Sequence, residues 1–211
     1  MFSTLPPATR GLLIANTVVF LLQLAGGNAL LIPYFALWPL ASDALSGGTF
    51  LPWQLITYSF LHWGVVHLFL NMYALYLFGA DLERVFGERR YLALYFASVL
   101  AAGVSQLLWS AVTSAPPLPT LGASGGVFGL LLAYGMYFPD RIVALIFPPI
   151  ALPAWLFVTL YGTLELYLGV TGTETGVAHF AHLGGMLGSY LVIRYWRGGR
   201  RYPRWRGERR D

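Results

Sequence analysis

The sequence predicts an all-α membrane protein, a bundle of six transmembrane helices. Three observations carry that prediction: an extreme apolar bias, six separate runs of spanning length, and a one-sided placement of positive charge. Of 211 residues, 57% are hydrophobic and only 10% are charged, and the mean hydropathy is +0.62. A water-soluble surface needs a larger charged fraction than that. Crossing the hydrocarbon takes about 20 apolar residues per helix. Such runs fall at 11–32, 64–80, 91–112, 121–138, 142–164 and 177–196, and the whole of 1–211 reads as one domain.

The charges support the same count. All thirteen basic residues are arginine. Arg10 precedes the first run, Arg84, Arg89 and Arg90 lie between the second and third, Arg141 lies between the fourth and fifth, and the other eight occupy Arg194 to Arg210. With six spans these groups share one side of the membrane, and the other three connections carry no arginine. The positive-inside rule then places both termini in the cytoplasm, as in a bacterial plasma membrane. The basic tail 197–211 reads as a topological anchor and not as a nucleic-acid surface, so a pI near 9.5 reports orientation. Met1 to Thr9 lacks the positive start of a secretory signal, so the first run is read as a retained helix.

The connections differ in character. The first outer loop, 33–63, holds Trp38-Pro39, Pro52-Trp53 and Trp63 with Asp43 as its single charge. Aromatic rings favour the headgroup region, which predicts a loop partly embedded in the membrane interface. The stretch 168–176 is small and polar and is a candidate lid. Pro148 and Pro149 interrupt the fifth run and predict a kink. In the loop after the second run, Asp81, Glu83 and Glu88 mingle with Arg84, Arg89 and Arg90, a setting for local ion pairs.

Polar groups at membrane depth cost several kcal/mol unless they find partners. The second run holds His67 and Asn71, the fourth opens with Gly122-Ala-Ser124-Gly125-Gly126, and the sixth holds His179 and His182. All three runs are entered from the outer side, and His67, Ser124 and His182 each lie a few residues in, at similar depth. His67 and Asn71 are one helical turn apart on one face. Gly125 with Gly129 on the fourth, and Gly184 with Gly188 and Gly185 with Ser189 on the sixth, form small-residue strips that would let these two helices approach closely.

This arrangement suits acyl transfer. A hydroxyl becomes a useful nucleophile when a neutral imidazole takes its proton, and an oxyanion needs preorganised donors. Ser124 and His182 fill the first roles; the Ser124 N–H, His67 and Asn71 fill the second. No carboxylate stands near enough in the sequence to complete a triad, so the expected form is a Ser–His dyad. His179 is read as a polar residue at the water interface, His62 as facing water or headgroups, and Glu165 as solvated at the outer end of the fifth helix. Cysteine is absent, which removes thiolate and disulfide chemistry. No H-E-x-x-H is present either, so no metal or other cofactor is expected.

The segment His67-Leu-Phe-Leu-Asn71, the motif Gly122-Ala-Ser124-Gly125 and the segment Ala181-His182-Leu-Gly-Gly185, in that order on the second, fourth and sixth runs, resemble the rhomboid intramembrane proteases. The resemblance implies a rhomboid-like bundle with Ser124 as nucleophile, His182 as base, and His67 and Asn71 as oxyanion stabilisers. Gly122, Gly125 and Gly185 serve close packing in the motifs, and Phe128 packs on the His182 ring. The implied substrates are single-pass transmembrane proteins, reached sideways between the second and fifth helices and cleaved near the outer face. Substrate segments with Gly, Ala or Ser should unwind most readily. Two departures stand out: Ser189 replaces a usual glycine, and the first outer loop lacks the usual Trp-Arg pair. A proteolytically inactive relative that binds membrane helices, and a small transporter, are the rival readings.

Overall fold

The computed structural model describes residues 5–113, 118–145, 149–172 and 178–198, which are mostly helical. Of the candidate lid 168–176, residues 168–171 are the end of a helix and not a loop, and 173–176 lie outside the described residues, as do the basic tail at 199–211 and Pro148. Helix α1 (Pro7–Leu22) begins with proline, whose fixed φ suits a first turn. The next two N–H groups, of Ala8 and Thr9, donate to the Glu83 carboxylate at 2.9 and 2.7 Å, and the Thr9 hydroxyl adds a third bond at 2.7 Å. The helix passes through a π turn at Gln23–Gly27, where Gly26 takes a φ of 97°, into α2 (Asn28–Phe35).

The long loop that follows α2 is organised by a buried glutamine. Gln54, at the head of the short helix α3 (Gln54–Thr57), accepts from the Trp38 and Leu51 N–H groups and donates to the Thr49 carbonyl. Helix α4 (Val65–Ala74) continues through a π turn at Leu75–Gly79 into α5 (Ala80–Phe86), which stops at Gly87 with a φ of 75°. Helix α6 (Glu88–Val112) follows, and then α7 (Ser124–Tyr137). A two-stranded hairpin of β1 (Ile142–Leu145) and β2 (Ile150–Pro153), with Ile142 opposite Pro153, leads into α8 (Ala154–Thr171) and α9 (His179–Gly198).

Among the described residues, four helical stretches are long and apolar enough to cross a membrane: Pro7–Phe35, Val65–Phe86, Glu88–Val112 and Ala154–Thr171. They coincide with the first, second, third and fifth predicted runs, though the fifth is displaced. The fourth and sixth runs correspond to α7 and α9. At 14 residues, α7 is about 21 Å long, shorter than a hydrocarbon core of about 30 Å. It tolerates this because it is enclosed by protein: α6, α7 and α9 pack on one another, nine of the 14 α7 residues are buried and none is fully exposed. Outward residues such as Leu21, Leu108, Leu160 and Leu187 are exposed, as lipid-facing positions should be.

The fifth run needs correction. The sequence predicts a helix over 142–164, but its first half is the hairpin, with Pro149 in the turn and Pro153 as the N-cap of α8. Prolines lack the N–H a helix interior requires, and a short apolar run fits a strand as well as a helix. The true helix therefore runs seven residues past the predicted end, to Thr171. The ion pairing after the second run also differs. Asp81 pairs with Arg84 and with Arg141, whereas Glu83 is buried and caps α1.

Glycine decides which helices meet. A Cβ on Gly185 would overlap the Gly125 carbonyl, so α7 and α9 cross there with backbone touching backbone. The rest of the sixth-helix strip points elsewhere. Cβ atoms on Gly184 and Gly188 would meet the Ala101 and Ala97 carbonyls of α6 at 2.9 and 3.1 Å. The expected strip against the fourth helix is thus divided between two neighbours.

Candidate active site

Ser124 is the first residue of α7, and because α7 is short its hydroxyl opens into a cavity instead of reaching the surface. The residue two before it, Gly122, has a φ of +130°, a conformation L side chains rarely adopt. Its N–H donates to the Tyr58 carbonyl at 3.0 Å, and Tyr58 is itself fixed by its hydroxyl donating to the Val99 carbonyl at 2.8 Å. A Cβ on Gly122 would stand 2.7 Å from His67 Cε1 and 2.9 Å from His67 Nε2. The glycine therefore serves twice, in the turn and in admitting the His67 ring beside Ser124.

His182 lies in the first turn of α9, brought to α7 by the Gly185–Gly125 crossing. Its Nε2 is 2.8 Å from Ser124 Oγ, and its ring stacks on Phe128 with centroids 4.2 Å apart and planes 6° from parallel. Nδ1 is 2.9 Å from Glu165 Oε2, and His179 Nδ1 is 2.7 Å from the same oxygen. A carboxylate only accepts, so both Nδ1 atoms carry hydrogen and donate. The neutral His182 ring is then bare at Nε2 and accepts the Ser124 O–H.

Two further donors face the same cavity. The Trp63 N–H donates to His67 Nδ1 at 3.4 Å, leaving hydrogen on the His67 Nε2 that lies beside Gly122 and Ser124. Asn71 spends one amide N–H on the His67 carbonyl at 2.9 Å and has a second to offer. The cavity measures about 1230 Å³ and is bounded on one side by Phe69 and Tyr73 of α4 and on another by Phe157 and Tyr161 of α8. Ser124, His182, His67, Asn71, Gly122, Gly125 and Phe128 all line it, while Gly185 lies beneath in the helix crossing.

Three sequence readings are overturned. Glu165 is buried inside the bundle and joins the pair from which a carboxylate was excluded. His179 is only 5% exposed and shares that carboxylate, so it is no interfacial residue. His62 is 2% exposed, held by backbone bonds to Gln23 and packed edge-on against Phe20 and His67. Burial, and then the neighbouring His67 ring, lowers its imidazole to about 4, so it is neutral at ordinary pH. The signal that could have found Glu165 is its place in an apolar helix, where an ionisable residue has a function by default.

Glu165 Oε2 and the Nδ1 atoms of His179 and His182 lie within 4.8 Å of one another, a grouping of ligand types that a metal ion can use. The direct contacts of 2.7 and 2.9 Å are those of charge-assisted hydrogen bonds, which pair the two Nδ1 atoms with the carboxylate, while His179 Nε2 is buried without a hydrogen-bond partner among the described residues.

A hydroxyl, an imidazole and a set of N–H donors around one cavity, inside a helical membrane bundle, define a class, and the chain belongs to it: the rhomboid family. The Rhomboid domain matches residues 50–198. The chain is 29% identical to Rhomboid protease GluP of Bacillus subtilis over 178 residues, which is 82% of this chain and 31% of that protein. It is 36% identical to RHOMBOID-like protein 4 of Arabidopsis thaliana over 155 residues, 67% of this chain and 34% of that protein. It is 30% identical to the mitochondrial presenilin-associated rhomboid-like protein of Homo sapiens over 191 residues, 88% of this chain and 47% of that protein. The chain thus spans about a third to a half of the length of these relatives. It is a multi-pass membrane protein of a family whose relatives include named proteases.

Proposed function

We propose that the chain is an intramembrane serine endopeptidase that cleaves transmembrane segments of other membrane proteins near the outer face. The observation that carries this reading is the 2.8 Å contact between Ser124 Oγ and His182 Nε2 inside a roomy cavity. Six spans with both termini in the cytoplasm, the orientation the arginines favour, put that cavity's mouth outside.

Ser124 Oγ attacks the scissile carbonyl as His182 Nε2 takes its proton. The oxyanion is held by the Ser124 N–H at the start of α7, by His67 Nε2–H and by the spare Asn71 N–H. His182 then gives its proton to the leaving amine, and water from the cavity releases the acyl group with His182 again as base. A substrate helix reaches Ser124 between α4 and α8, which line the cavity with Phe69 and Tyr73 and with Phe157 and Tyr161. It must unwind locally, because helical carbonyls are occupied by i to i+4 bonds.

A fluorophosphonate probe should label purified protein at Ser124 and abolish cleavage of a single-pass substrate, and chelators should leave cleavage intact. Mass mapping of the label decides it; a label elsewhere, or sensitivity to chelation alone, overturns the reading. His67→Ala should lower kcat by about 100- to 1000-fold, the usual effect of losing one oxyanion donor, with a much smaller change in KM. Steady-state kinetics on a peptide substrate provide the check.

A further inference from the structure

Glu165 and His179 are left over from the mechanism above, yet they form a buried polar cluster beside the cavity. A carboxylate in the apolar helix α8 costs several kcal/mol unless donors meet it. Here two imidazole N–H groups meet a single oxygen, from His179 at 2.7 Å and His182 at 2.9 Å, with all three residues buried. His182 is thereby bonded at both ends, to Glu165 through Nδ1 and to Ser124 through Nε2. The ring face is covered by Phe128. The imidazole has no remaining freedom to turn.

We propose that Glu165 is a positioning residue that converts the Ser124–His182 pair into a Ser–His–Glu triad, with His179 holding the carboxylate in place. The proposal rests on the serine-protease reading and deepens it. Glu165 selects the tautomer in which His182 Nε2 is bare, the form that can take the serine proton. When His182 takes that proton it becomes a cation, and a carboxylate 2.9 Å away stabilises it without accepting the proton itself. The second donor has its own purpose. His179 sits one helical turn before His182 on α9, so both donors move with one element while Glu165 comes from α8. With His179 on Oε2, the carboxylate stays in line with His182 even if the cavity fills with water.

The test is Glu165→Gln in the full chain in detergent and in liposomes. A neutral amide keeps the shape but loses the charge and the tautomer preference, which in a serine-protease triad costs about 10⁴-fold in kcat. We expect kcat to fall at least about 100-fold with KM within about threefold, and Glu165→Asp to recover part of the loss. A second readout needs no activity. In ¹⁵N-histidine spectra, with His182 assigned by difference from His182→Gln, the wild-type ring should be protonated at Nδ1, and Glu165→Gln should introduce the Nε2-protonated form. If Glu165→Gln does not fold, His179 carries the test: His179→Asn, which keeps an N–H donor, should retain more activity and more of the Nδ1-protonated ring than His179→Leu. A wild-type ring protonated at Nε2, or a Glu165→Gln protein with wild-type kcat and spectrum, overturns the proposal. Failure of the protease reading is a separate result: Ser124 would resist the fluorophosphonate while the ring spectrum still decides the role of Glu165.

Discussion

Replacing Ser124 with alanine should abolish cleavage of a co-expressed single-pass substrate, by about 10⁴-fold or more, while the protein still folds. The loss is large because in the proposed mechanism the hydroxyl forms the acyl bond, and nucleophile deletions in serine hydrolases reach about 10⁶-fold. Folding should survive because the Ser124 side chain bonds only to His182 among the described contacts. His182 keeps Glu165 and Phe128 without it. Immunoblotting of the substrate, with thermal unfolding of the purified variant in detergent, checks both halves. Cleavage that continues unchanged moves the nucleophile elsewhere and leaves the inactive, helix-binding reading in its place.

Gly185→Ala should be nearly as damaging, by a different route. The added methyl would overlap the Gly125 carbonyl and lie 2.8 Å from its carbon. Backbone cannot swing aside as a flexible side chain can, so α9 must move away from α7. Overpacking of this kind costs about 1–3 kcal/mol. A shift of about 1 Å between reacting groups can cost about 100-fold in rate, and His182 sits one turn from the crossing. Gly11→Ala is the control: a Cβ there meets nothing within 4 Å, and alanine favours a helix by up to about 1 kcal/mol. The rate of fluorophosphonate labelling and the unfolding temperature should both fall for Gly185→Ala and both hold for Gly11→Ala. Equal behaviour of the two variants would mean the crossing does not set the site.

Much of the site was legible because its parts obey simple counting. In the predicted runs His67, Ser124 and His182 stand a few residues in from ends read as lying on one side, and the structure gathers them around one cavity, with Ser124 at the very start of α7. What escaped was phase. Glu165 was read as solvated because the fifth helix was started at 142, where an apolar run of strand looks like membrane helix. Moving the start to Ala154 carries Glu165 from the helix end to a buried position. Facing was equally hidden. Two small-residue strips on one helix announce close neighbours without saying which, and Gly184 and Gly188 serve α6, not α7. His179 and His62 failed for the same reason, since a lone histidine near an outer surface gives no sign of which way its ring points.

Glu83 closes the amino end of α1 from 74 residues further along the chain. A ribosome finishes the first helix well before it makes the group that completes it, so during synthesis those exposed N–H groups have only headgroups or solvent to bind. The first helix is therefore settled by the end of the second spanning stretch, and biogenesis has a built-in order: α1 inserts early and is fastened late.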